Sequence, residues 1–257
     1  MLNTARSTLR LLHYWWPLAL GWSLTVVVGR ATGRTPDPHG VTTLLAGIAA
    51  AYSLDRVIDP SDTPLPSWAR LTLTATGLVM AAACVWQARQ LPASTAVLMP
   101  ALGIAALGYA RLKQWPATKL VALPLVWTWA SIALPFSDGS WFGWRGLLHP
   151  VAAPIFCLIA AGCLLCDLKD EDDDRRDGVR SLPAIAGGPA TIRVAILLSL
   201  AAAILAIVEH RPGIVVGASA LGVSTLSPRL LAAESTGPLL VDMILTLPGI
   251  LVSARVF

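Results

Sequence analysis

The sequence predicts an all-α polytopic membrane bundle of nine transmembrane helices, with eight as the alternative count. Three observations predict it. The composition is 55% hydrophobic and 13% charged with a mean hydropathy of +0.67, whereas soluble domains carry about a quarter charged residues. The apolar residues fall in runs that approach the roughly 20 residues needed to cross a bilayer. Tryptophans gather at the ends of those runs (Trp15, Trp16, Trp68, Trp86, Trp115, Trp141 and Trp144), as interfacial tryptophans do. High hydropathy also excludes a disordered chain. A net charge of +4 without a basic face or arm excludes a nucleic-acid binder.

The runs are Leu11–Gly29, Gly40–Leu54, Trp68–Ala88, Thr95–Ala110, Lys119–Leu134, Leu148–Cys166, Thr191–Val208, Gly213–Leu231 and Leu239–Ser253. The second is short, and its helix is expected to continue through the polar end, Tyr52 to Asp59. The first shows no small-residue cleavage site after a short core, so it reads as a membrane span rather than a signal peptide. No linker separates soluble units, and residues 1–257 form one transmembrane domain. With nine alternating spans and the N-terminus in the cytoplasm, 13 of the 19 Lys and Arg fall on the cytoplasmic side. Positive-inside bias favours that multi-pass arrangement, which in a bacterium would be in the inner (cytoplasmic) membrane. Cys163 and Cys166 form a lone CxxC within an apolar run and read as small packing residues.

The acids are distributed unevenly. Asp55, Asp59 and Asp62 follow the second run, and Asp167, Asp170, Glu171, Asp172, Asp173, Asp174 and Asp177 follow the sixth, which makes ten of the fifteen. Both stretches fall on the side read as cytoplasmic. Asp55 and Asp59, at i and i+4, share one helix face, as do Asp167, Asp170 and Asp174 at i, i+3 and i+7. Such carboxylates at the mouth of an apolar bundle repel one another unless a cation neutralises them. Hard oxygen ligands without histidine point to Mg²⁺ rather than zinc. Mg²⁺ takes one or two carboxylates and completes its shell with water and phosphate oxygens. The expected ligand is therefore a phosphorylated molecule with an apolar body. Asp172, Asp173 and Asp177 read as a solvated face. Tyr109, Arg111, Lys113 and Lys119 offer a basic complement between the fourth and fifth runs, with Tyr109 and Lys113 four residues apart.

Other polar residues read more plainly. Asp242 in the last run suits a proton relay in principle, but its place near a span end reads as an interface-facing acid. Glu209, His210 and Arg211 read as a solvated turn. His13, His39 and His149 have no partners at ligand spacing.

Together these stretches resemble the UbiA superfamily of intramembrane prenyltransferases. DLKDEDDDRRDGVRSLP, Asp167 to Pro183, is similar to that family's second aspartate motif, DxxDxxxD followed by Gly and Thr/Ser-Leu-Pro. AYSLDRVID, Ala51 to Asp59, resembles the first, NDxxDxxxD, and TPLPS, Thr63 to Ser67, resembles the RPLPSG after it. YARLK, Tyr109 to Lys113, resembles the family's YxxxK diphosphate contact. The resemblance implies nine helices around a central cavity. It implies Mg²⁺ at Asp55, Asp59, Asp167, Asp170 and Asp174, with Asp55, Asp59, Asp170 and Asp174 catalytic. It also implies an isoprenyl diphosphate held by Tyr109 and Lys113, with Arg56 and Lys169 as weaker candidates, and a hydrophobic acceptor for the allylic cation. The alternative is a terpene cyclase of the same fold, which needs no acceptor. The first motif departs from the family: Ala51 stands for its Asn, Tyr52 for its Asp, and Thr63 for its Arg.

Overall fold

The structure is a computed structural model that describes residues 2–58, 67–97, 99–100, 102–104, 115, 118–137, 143–233 and 236–256; for 2–14, 119 and 143–144 it describes the backbone. The helices are α1 (Leu2–Thr32), α2 (Pro38–Ile58), α3 (Ser67–Ala88), α4 (Ala93–Ala96), α5 (Leu123–Ala133) and α6 (Ala152–Cys166). They continue with α7 (Glu171–Asp177), α8 (Leu182–Ala186), α9 (Gly188–Val208), α10 (Pro212–Ser224), α11 (Pro228–Leu231) and α12 (Thr236–Ser253). Among the described residues there is no strand. Five helical stretches, Pro38–Ile58, Ser67–Ala88, Ala152–Asp177, Gly188–Val208 and Thr236–Ser253, are long and apolar enough to cross a membrane, and α5 and α10 are shorter apolar helices. The chain is a multi-pass membrane protein.

Eight of the nine expected runs coincide with helices α1, α2, α3, α5, α6, α9, α10 and α12. Half of the fourth, Thr95–Ala110, lies outside the described residues. Two expected runs are reshaped by proline. The eighth stops at Ser224 and restarts as α11, because Pro228 has no N–H to continue the ladder. The fifth opens with a wide π turn, Thr118–Ala122. That turn precedes Pro124, whose ring would crowd the carbonyl four residues earlier in a regular helix.

Between membrane helices lipid is as apolar as leucine, so close packing of small residues takes over as the cohesive term. In α9, Ala195, Ser199, Ala202 and Ala206 are buried along one stripe, while Leu197, Leu200, Ile204 and Ile207 are exposed on the opposite side, toward lipid. That small-residue stripe lets α9 lie against α6 and α10. A methyl group on Gly162 of α6 would stand 2.6 Å from Leu245 Cδ1 of α12, and one on Gly217 of α10 would stand 2.7 Å from Pro248 Cγ. Helix α2 pairs with α3, where Gly77 accepts Leu54 and the Cys84 thiol donates to the Thr43 carbonyl at 3.4 Å.

Helices α1 and α12 are tied by polar side chains. Trp16 Nε1 donates to Thr246 Oγ1 at 2.9 Å, and Ser23 Oγ donates to the Thr246 carbonyl at 2.9 Å. The Gly249 N–H donates to Ser23 Oγ at 3.0 Å. Trp16 meets Thr246 and Ser23 meets Gly249, so the two helices run parallel.

Candidate functional site at the acidic end of the bundle

Helix α2 keeps its helical hydrogen bonding through its polar end to Ile58, so Tyr52, Asp55 and Arg56 all stand on it. Asp55 and Arg56 are half-buried. Asp59, the partner expected at i+4, lies outside the described residues, as do Asp62 and Thr63.

The second stretch is helical but not one regular helix. Helix α6 ends at Cys166, a 3₁₀ turn covers Asp167–Asp170, and α7 follows. In a 3₁₀ turn residues three apart eclipse one another, which stacks Asp167 and Asp170 more directly than an α-helix would. Asp170 has φ −96° and ψ 2°, in the sparsely used bridge region where many active-site residues sit. The rest of the motif has a folding role. Gly178, at φ +72°, adopts the left-handed conformation that ends α7. Ser181 Oγ then accepts the Ala184 N–H at 3.3 Å to cap α8, with Pro183 in its first turn. This turn sends the chain back toward α9.

The carboxylates divide into two groups. Asp167 is buried, 7% exposed. Asp174 is half-buried, and its Oδ2 is shielded from solvent with no hydrogen-bond donor among the described residues. Lys169 Nζ stands 2.6 Å from Asp170 Oδ1. On the outer face, Arg175 Nη2 is 2.9 Å from Glu171 Oε1 and Arg176 Nη2 is 2.8 Å from Asp173 Oδ1. Asp172, Asp173 and Asp177 are exposed, a solvated face as the spacing predicts. Among the described residues no three His, Cys, Asp or Glu side chains converge on a common metal position, the CxxC included.

The two stretches meet at one end of the bundle, and Tyr52 links them. Its phenol lies within electrostatic reach of Asp242 on α12, Cys163 and Cys166 on α6, and Asp55 on its own helix. Cys166 is in reach of Asp242, Asp167 and Lys169. Tyr52 is nevertheless 38% exposed. Its side chain is thus set against three helices without being sealed by them. Asp242 thus belongs to the interior of the bundle, not to the lipid interface that its position in the sequence suggests. The signal was its status as the one charged residue in α12, since acids within membrane helices face cavities or partners. Tyr109, Arg111 and Lys113 lie outside the described residues, as does the side chain of Lys119.

A polytopic all-helical bundle with carboxylates gathered at one mouth is the class that fold and site define. Its fold is similar to that of a solved protein, described as the apo structure of a UbiA homolog from Aeropyrum pernix K1, with a TM-score of 0.69 and 17% identity over 92% of this chain and 98% of that one. The chain therefore has the UbiA fold. No protein-family model and no curated protein matches it in sequence.

Proposed function

We propose that the protein is a Mg²⁺-dependent intramembrane prenyltransferase, transferring an isoprenyl group from its diphosphate to a hydrophobic acceptor. The observation that carries this reading is the meeting of two aspartate stretches, at the ends of α2 and α6, at one mouth of a UbiA fold.

The residues present suit a hard cation. Their donors are carboxylate oxygens, and the buried Asp174 Oδ2 has no donor among the described residues, an expensive state for an anion unless a cation compensates it. Asp55 and Asp59, with Asp167, Asp170 and Asp174, are the residues that would hold Mg²⁺. When bound, Mg²⁺ would stabilise negative charge growing on the departing diphosphate. Lys113, Tyr109 and Arg56 would bind the same diphosphate. Lys169, now on Asp170, would turn to it once Asp170 is otherwise neutralised. The apolar walls of the bundle would keep water from the allylic cation.

One feature favours a second reading, the cyclase. Tyr52 offers an accessible ring where the family places a carboxylate, and aromatic faces stabilise cations. Detergent-purified protein incubated with Mg²⁺ and farnesyl or geranylgeranyl diphosphate separates the two. Turnover only with an added phenol, quinone precursor or tetrapyrrole supports transfer, and cyclic products without one support cyclisation. Failure to bind a geranylgeranyl thio-diphosphate in the presence of Mg²⁺ would falsify both.

A further inference from the structure

Helix α12 contributes a charged side chain that neither aspartate motif contains. Its position follows from packing. Leu245 sits on Gly162 of α6, and Asp242, at i−3 on the same face of α12, stands near Cys166, at i+4 from Gly162 on α6. The two helices therefore run antiparallel, and Asp242 and Cys166 are in electrostatic contact. The backbone on this side is firmly placed, because Thr246 Oγ1 both accepts from Trp16 and donates to the Asp242 carbonyl at 2.7 Å.

Opposite Asp242 stands Tyr52, three residues before Asp55 on α2. Ile48, one turn earlier on that helix, packs into the core, and a methyl on Gly21 of α1 would meet it at 2.6 Å. Tyr52, at i+4 from Ile48, projects to the same interior side, where Asp242 is the acid in closest electrostatic contact. Cys166 immediately precedes the first ligand candidate of the second motif. Tyr52 thus lies about one helical turn deeper in the bundle than Asp55, and Asp242 stands beside it near the level of Cys166. A membrane protein retains an ionisable group at such a depth where it meets a charge or a path.

We infer that Asp242 is a catalytic residue on the hydrocarbon side of the diphosphate site, presenting its carboxylate to the allylic carbocation with Tyr52 beside it. This inference rests on the proposed diphosphate chemistry. In that chemistry the bond between C1 and the bridging oxygen breaks and its electron pair leaves with the diphosphate. The positive charge stays on the allyl group. The carboxylate lowers the energy of that charge, which exists only after ionisation, so its effect falls on the rate and not on substrate binding.

The experiment compares wild type with Asp242→Asn and Asp242→Glu. It reads release of inorganic diphosphate from geranylgeranyl diphosphate with Mg²⁺, and equilibrium binding of geranylgeranyl thio-diphosphate with Mg²⁺. The expected result is a fall in kcat of about tenfold or more for Asp242→Asn, with analogue affinity within about threefold and part of the rate restored in Asp242→Glu. Unchanged kcat in Asp242→Asn overturns the inference, as does a parallel loss of rate and affinity, which marks a structural or metal-binding part. Wild type that binds no analogue defeats the diphosphate reading itself, a separate outcome.

Discussion

At the scale of single residues, Asp174 and His149 give opposite kinds of prediction. Asp174 Oδ2 is a shielded oxygen without a described donor, so the folded protein gains nothing from its charge until a cation arrives. Asp174→Ala should therefore leave the thermal unfolding midpoint in detergent nearly unchanged, and Asp170→Ala, which gives up only the part-exposed Lys169 pair, should lower it by little. They should cut turnover on the order of a hundredfold or more. A variant that keeps near wild-type turnover ends the metal assignment for that residue. Lys113→Ala should slow turnover by roughly tenfold to a thousandfold, through lost stabilisation of the departing diphosphate. An unchanged rate leaves that lysine with only a topological role. His149, before α6 and away from the acidic mouth, is of a different kind. Its Nδ1 accepts the Val151 N–H at 3.2 Å, which requires that nitrogen to be unprotonated. Burial and then the Arg211 and Arg34 charges hold its pKa below the ordinary 6.5, with Glu209 partly opposing them. The unfolded chain then takes up the proton first as pH falls. The stabilising contribution is complete above pH 6.5 and is lost as pH drops through that value toward the lower folded pKa. Midpoints measured between pH 7.5 and 5.5 should fall less steeply in His149→Asn, which keeps an acceptor but does not titrate. Identical slopes in the two proteins would remove His149 from this account.

At the scale of elements, the α1–α12 contact is the most exacting. Any Cβ at Gly249 would overlap Ser23 Cα and its side chain, and Pro248 just before it cannot donate a backbone hydrogen bond. Overpacking of this kind costs about 1–3 kcal/mol. Gly249→Ala should lower the unfolding midpoint, and Ser23→Ala should not rescue it because the conflict is with backbone. Rescue by Ser23→Ala would show that the helices can shift apart. This contact was not legible in the sequence, since it joins residues more than two hundred positions apart. What the sequence disclosed was local: the helical continuation of α2 through Tyr52 and Asp55, and the solvated side of α7. It did not disclose the 3₁₀ turn at Asp167–Asp170, where eclipsing replaces the expected α-helical spacing. Nor did it disclose the inward aim of Asp242, which depends on the Gly162–Leu245 packing.

At the scale of the whole molecule, the direction of the helices carries a topological consequence. Helices α1 and α12 run parallel through the Trp16–Thr246 and Ser23–Gly249 contacts, so residues following α12 emerge at the end of the bundle opposite to those preceding α1. Parallel first and last spans require an odd number of crossings, which favours nine over eight. The basic residues bear on the face: with nine spans, Arg56, Lys169, Arg175, Arg176 and Arg229 share the side of the acidic mouth, and the positive-inside rule predicts that this side faces the cytoplasm. A soluble isoprenyl diphosphate precursor would then meet the aspartates directly from the cytoplasm. Single cysteines in a background with Cys84, Cys157, Cys163 and Cys166 replaced by alanine test this, using a membrane-impermeant maleimide on intact cells. Asp173→Cys, at the acidic mouth, should label only after lysis. His210→Cys, between α9 and α10, and Ala254→Cys, just after α12, should label without it. Labelling of Asp173→Cys in intact cells would invert the bundle and leave the aspartates facing away from the cytoplasmic diphosphate pool. Ala254→Cys protected alongside Asp173→Cys would contradict the parallel pairing of α1 and α12 and restore the even count.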